Sequence, residues 1–113
     1  MPYIETTANI AIPGRKEQAI KERMGQAIEL IPGKTESWLM LSFRGNASMY
    51  FQGSDEPCAI CHVKLFGAGT EDAYAKLTEA LTDILREELE LDPNRIYVTY
   101  EEIGTWGWNG GNF

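Results

Sequence analysis

The sequence predicts an α+β domain: two βαβ units that pair into one four-stranded sheet, with both helices on a single face. Three observations lead there. Two stretches with apolar residues at helical spacing are each flanked by short runs rich in β-formers. Gly- and Pro-containing clusters separate these runs. The plan of the first half also recurs about 57 residues later, so residues 1–113 read as one domain with a pseudo-repeat of 1–55 and 56–113.

Residues 2–7 (Pro-Tyr-Ile-Glu-Thr-Thr) alternate and read as the first strand, ended before Pro13-Gly14. From Arg15 onward Ile20, Met24, Ala27, Ile28 and Ile31 recur at helical spacing, and Pro32-Gly33 stops that helix. Residues 37–44 (Ser-Trp-Leu-Met-Leu-Ser-Phe-Arg) read as a second strand, apolar on both faces. Gly45-Asn46 reads as a turn, with a short strand from Ser48 to Phe51 beyond it. After Gly53-Ser54-Asp55-Glu56-Pro57 the plan repeats. Residues 58–66 form a strand, and Tyr74, Leu77, Leu81, Ile84, Leu85 and Leu89 line one side of a second helix. Asp92-Pro93-Asn94 ends that helix, and Ile96 to Tyr100 is the last strand. The Gly-rich tail reads as an irregular end.

Each unit joins two parallel strands by a crossover helix. The helices cover only one face, yet the strands carry apolar groups on both. Leu39, Leu41 and Phe43 can face the helices, while Trp38, Met40, Ile60 and Phe66 point away. Soluble monomers rarely expose such a patch, so an oligomer whose sheets pack together is expected.

The formal net charge of -7 argues against a nucleic-acid or anionic-membrane surface, since phosphate binding needs a basic footprint. Charged residues at 24% and hydrophobic ones at 43% describe a globular chain. No apolar run approaches the length of a membrane span, and no cleavable signal opens the chain. The cytoplasm is the expected compartment, with secretion by an unconventional route left open.

Met1-Pro2 carries the first chemical signal. Removal of Met1 would leave Pro2 as a secondary amine, whereas every other proline nitrogen is a tertiary amide without basicity. An α-amino group titrates about two units below a lysine, and burial lowers it further. On the wall of an apolar pocket Pro2 could be neutral near pH 7 and act as a general base. The plainer reading is that Pro2 permits Met1 removal and stiffens a terminus.

Cys58-Ala59-Ile60-Cys61 is a possible redox motif, and His62 extends it to the spacing of c-type haem attachment. Here the motif opens a strand, where residues three apart point to opposite faces and lie roughly 10 Å apart. A disulfide needs Cα atoms within about 7 Å. Two cysteines and one histidine also fall short of a closed four-ligand zinc site, so no metal is expected, and no cofactor.

Several separated motifs now fall into order. Met1-Pro2, Pro32-Gly33-Lys34, Phe51-Gln52-Gly53-Ser54-Asp55-Glu56-Pro57-Cys58-Ala59-Ile60-Cys61, Asp92-Pro93-Asn94-Arg95-Ile96-Tyr97 and Gly107-Trp108-Asn109 together resemble the macrophage migration inhibitory factor family of the tautomerase superfamily. The likeness runs from residue 1 to 113. It implies a homotrimer with active sites at the subunit interfaces, in which the N-terminal proline moves a proton between carbon and oxygen of an α-keto acid such as phenylpyruvate. By the same resemblance Pro2 is the catalytic residue, Lys34 receives the substrate carboxylate, and Tyr97 comes from the neighbouring subunit. Trp108 and Phe113 line the pocket. Phe66 stands where the family usually has Ile, Thr99 replaces a usual Asn, and Trp106 a usual Val, which bears on substrate preference. The family is also associated with a thiol–disulfide activity through the motif at Cys58 and Cys61.

Three functions are therefore expected in descending order. The first is a keto–enol tautomerase, an isomerase of the phenylpyruvate or dopachrome type. The second is a cytokine-like protein that binds a receptor or host partner, with incidental catalysis. The third is a thiol oxidoreductase.

Overall fold

The structure, a computed structural model, describes all 113 residues. Four strands form its sheet: β1 (Pro2–Ala8), β2 (Met40–Arg44), β3 (Ala59–Phe66) and β4 (Ile96–Ile103), in the order β2-β1-β3-β4. Strand β1 runs parallel to β2 with Tyr3 opposite Met40, and β3 runs parallel to β4 with Ala59 opposite Ile96. The two βαβ units meet at the antiparallel pair β1–β3, where Pro2 lies opposite Leu65. The crossovers are the helices α1 (Gly14–Ala27) and α2 (Glu71–Leu89), which pack on each other and on one face of the sheet.

Alternation explains the central strands. Pro2, Ile4, Thr6 and Ala8 of β1, and Ala59, Cys61, Val63 and Leu65 of β3, all turn toward the helices and are buried. Helix α1 meets them with Ile20 and Met24, and α2 with Leu77, Leu81 and Leu85, all five fully buried. Each such side chain contributes about 1.5–3 kcal/mol relative to exposure. The N-terminus of α2 is capped by Thr70, whose hydroxyl accepts from the Ala73 N–H. Glu71 and Asp72 in its first turn complement the helix dipole.

The predicted fold holds, and several local expectations change. The first helix ends at Ala27, and a 3-10 turn over Ile28–Leu30 carries the chain to an extended Ile31. The second strand begins at Met40, because residues 36–38 wind into a 3-10 turn and pairing with β1 starts at Tyr3–Met40. Residues 48–50 form no strand; Phe51 makes a single bridge to Ser54 across a tight turn. Helix α2 stops at Glu90, which is left-handed (φ 55°), so Asp92 instead caps the short 3-10 turn Pro93–Arg95. The tail is a small hairpin of β5 (Gly107–Trp108) and β6 (Gly111–Asn112). It turns through Asn109 and Gly110, both at positive φ.

The face away from the helices carries apolar and polar groups together. Leu39, Leu41 and Phe43 do pack against the core, and Trp38 and Met40 are exposed. The middle of the opposite face, however, is polar. Lys64 Nζ meets Glu5 at 2.7 Å, His62 bridges Thr99 and Glu101, and the Tyr3 hydroxyl bonds Ser42. Apolar groups are gathered at its two ends: Trp38, Met40, Phe66, Trp108 and Phe113 at one, Phe51, Ile60 and Tyr97 at the other. No helix is long and apolar enough to cross a membrane.

Candidate active site

Chain order, strand register and one turn bring Pro2, Lys34 and Phe66 together at the first of these ends. Pro2 opens β1 and is buried opposite Leu65. Ile31-Pro32-Gly33-Lys34 forms a β-turn closed by the Lys34 N–H donating to the Ile31 carbonyl at 3.1 Å. Gly33 sits at φ +83°, and Pro followed by a positive-φ glycine is the pattern of a type II turn. This turn carries Lys34 back to the sheet, where its Nζ donates to the Phe66 carbonyl at 3.0 Å. The Phe66 N–H in turn donates to the Met1 carbonyl at 3.0 Å. The end of β3 thus ties the lysine to the start of the chain.

Lys34 also lies against the terminal amine. With Met1 in place that amine is Met1's, and its pKa falls from an ordinary 8.0 to about 6. Partial burial is the largest cause, followed by the Lys34 charge and its hydrogen bond. The Met1 amine stands in for the Pro2 amine that removal of Met1 would expose one residue further in.

Beside Pro2 opens a cleft of about 830 Å³ lined by Met1, Pro2, Tyr3, residues 37–40, Trp106, Gly107 and Trp108. All three tryptophans of the chain face it. Trp38 and Trp108 meet edge-to-face at 4.9 Å between centroids, and Phe113 lies between Trp108 (6.3 Å) and Phe66 (5.7 Å). Of the predicted residues, Pro2 and Trp108 line this cleft, while Lys34, Phe66 and Phe113 join them through the Lys34–Phe66 hydrogen bond and the Phe66–Phe113–Trp108 ring contacts. The wall contributed by Trp38 has no counterpart in the sequence reading, which placed that residue only on the outward face. Its partner Trp108 is 70 residues away in the chain, and no local pattern reports such a contact. The hairpin that carries Trp108 had a usable signal in Asn109-Gly110, a dipeptide favoured in two-residue turns.

Tyr97 lies elsewhere. It pairs with Ile60, five residues down β3 from Leu65, the partner of Pro2. At about 3.4 Å per residue this is roughly 17 Å from Pro2 along the sheet. A site that uses both groups must take Tyr97 from a different copy of the chain.

The cysteines are free and both buried. Cys61 points to the helices beside Thr6 (3.4 Å), and burial pushes its thiol up to about 11, well away from a reactive thiolate. Cys58 precedes β3, so the strand alternation that would have turned it outward does not reach it. Its N–H is held by Asn9 Oδ1 at 2.8 Å.

Comparison with known proteins bears on the family and the fold. The profile of the macrophage migration inhibitory factor family matches residues 1–113. The macrophage migration inhibitory factor homolog of Wuchereria bancrofti is 31% identical over 119 residues, covering 100% of this chain and 99% of the relative. That of Brugia malayi is 29% identical over 115 residues, with the same coverage. The solved structure of Leishmania major MIF2 superposes with a TM-score of 0.94 at 27% identity, covering 100% of this chain and 97% of the other. A homologue from Prochlorococcus marinus gives a TM-score of 0.83 at 26% identity, covering 98% of each chain. With a family match along its whole length and the corresponding fold, the chain belongs to the macrophage migration inhibitory factor family.

Proposed function

We propose that the protein is a keto–enol tautomerase of small α-keto acids of the phenylpyruvate type, working as a homotrimer with Pro2 as general base and acid once Met1 is removed. The observation that carries this reading is the lysine at the terminus. Lys34 sits beside the Met1 amine, whose pKa is already lowered to about 6, and Met1 and Pro2 line an aromatic cleft. A neutral amine, a fixed cation and an apolar wall are the three groups this reaction needs. Membership in the family supports tautomerase activity in general, and the α-keto acid is our narrower assignment.

Neutral Pro2 takes a proton from the enol hydroxyl, or from carbon in the reverse direction, and returns it at the other atom. Lys34 holds the substrate carboxylate as a point charge. Its charge also disfavours protonation of the neighbouring amine. Trp38, Trp108 and Phe113 hold the aromatic tail and exclude water, and a fixed orientation beside a matched base lowers the barrier. Tyr97 of a neighbouring subunit completes the site. The exposed apolar groups at both ends of the sheet's second face support an assembly that buries them.

The test is phenylpyruvate ketonisation by protein whose mass confirms loss of Met1, alongside its size in solution. The expected particle is about 38 kDa, three times 12.7 kDa, with activity lost in Pro2→Gly. Unchanged activity in Pro2→Gly would remove the proline from the mechanism. An inactive, correctly processed trimer would instead favour the cytokine-like reading, in which the fold serves to bind a protein partner.

A further inference from the structure

Arg95 is 8% exposed, and its guanidinium donates to four backbone carbonyls: Nε to Pro57 at 3.0 Å, Nη1 to Phe51 at 3.1 Å, and Nη2 to Ser54 at 3.2 Å and Glu56 at 3.0 Å. None of these partners is a carboxylate, and all four belong to the loop 51–57. A buried cation satisfied in this way holds that loop to one shape, because each acceptor that left would strand part of the charge. The loop is also braced from within. Gln52 and Gly53 are both at positive φ, and Phe51 and Ser54 exchange N–H···O bonds at 2.9 and 3.0 Å across them.

The product of this bracing is one aromatic contact. The Phe51 ring lies on Tyr97 with centroids 4.6 Å apart, and the Arg95 guanidinium sits 5.3 Å from the centre of the Phe51 ring. Tyr97 is two residues beyond Arg95, on the sheet face away from the helices, and is 57% exposed. Phe51 therefore supports one side of a tyrosine whose remainder projects from the chain.

We propose that Arg95 and Phe51 are positioning residues for the reaction: they fix Tyr97 in the orientation in which it reaches the Pro2 site of a neighbouring subunit. This rests on the trimeric tautomerase proposed above. Neither residue touches the substrate. Arg95 sets the loop, the loop sets Phe51, and Phe51 limits the rotation of Tyr97, so part of each site's geometry is decided in the adjacent chain.

The experiment is steady-state phenylpyruvate kinetics on Phe51→Ala, Arg95→Lys, Tyr97→Ala and the double variant Phe51→Ala/Tyr97→Ala. Lysine keeps the charge of Arg95 but cannot span four carbonyls. Phe51→Ala and Arg95→Lys are expected to raise KM about twofold to tenfold, the range set by an aromatic pair, with kcat within about twofold of wild type. Phe51→Tyr, which keeps the ring, restores the wild-type KM, and the double variant is no worse than Tyr97→Ala alone. Trimers refolded from Phe51→Ala and Pro2→Gly chains regain sites of wild-type KM, where an intact Pro2 meets an intact neighbouring Phe51–Tyr97 pair. If Phe51→Ala does not fold, Phe51→Leu takes its place. A folded variant with unchanged KM, additive effects in the double variant, or mixed trimers without wild-type sites would overturn the inference while leaving the reaction standing. Wild-type protein without Pro2-dependent activity would overturn both.

Discussion

Lys34→Met isolates the cation while keeping most of the apolar stem. Two consequences are separable. A charged hydrogen bond to a carboxylate contributes about 1.5–3 kcal/mol, and the partial exposure of Lys34 favours the lower end, so KM for phenylpyruvate is expected to rise by about tenfold. The second consequence is in pH dependence. Burial is the largest cause of the fall in the terminal amine's pKa from 8.0 to about 6, and Lys34 supplies the rest. That fall is the Met1 amine's; for the Pro2 amine that takes its place, removing the lysine is expected to raise the pKa in the same direction, because a neighbouring positive charge no longer opposes protonation. The base works only when neutral, so the rising limb of kcat/KM moves to higher pH. The loss in kcat/KM is therefore larger at pH 6.5 than at pH 8.5. The assay is phenylpyruvate ketonisation between pH 5 and 9 with wild type and Lys34→Met side by side. A variant whose KM stays within about twofold and whose limb does not move would refute both roles of Lys34.

The core and the cysteines yield two simpler expectations. Leu81 is fully buried between α2 and the sheet, and Leu81→Ala should lower unfolding stability by about 2–5 kcal/mol, read from denaturant midpoints. Because the Cys61 thiol is buried and pushed up to about 11, iodoacetamide at pH 8 should leave it unmodified in the native protein and alkylate it once the chain is unfolded. Rapid labelling of native Cys61 would show that the site opens and would revive the thiol chemistry of the motif.

Most of the fold was legible because its signals are local. Alternation in residues 2–7 and 58–66 gave the two central strands, and the spacings Ile20–Met24 and Leu77–Leu81–Leu85 gave the helices. Pro32-Gly33 marked the turn that carries Lys34. The errors fall where tertiary contacts outweigh local pattern. Residues 37–39 look as strand-like as 40–44, yet Glu36–Trp38 wind into a 3-10 turn whose Glu36 carboxylate meets Lys21 of α1 at 3.5 Å. On the second face the sequence marks the apolar residues Trp38, Met40, Ile60 and Phe66. Its polar middle emerges only when the register sets Glu5, Lys64, His62 and Glu101 side by side. The candidate site shows the same division. Pro2 and Lys34 stand out in the sequence by their motifs, whereas the Trp38–Trp108 contact and the Arg95–Phe51–Tyr97 chain exist only after folding.

The central claim is that a free Pro2 amine is the base. It is tested most directly by preparing the same chain with Met1 removed and with Met1 retained, verifying each by intact mass, and measuring phenylpyruvate ketonisation on both. The retained form keeps the cleft, Lys34 and the aromatic wall but converts Pro2 to an amide. Activity confined to the Met1-free form, rising with pH on a single ionisation below 8.0, is the predicted result. Equal rates from the two forms would contradict it and require another base.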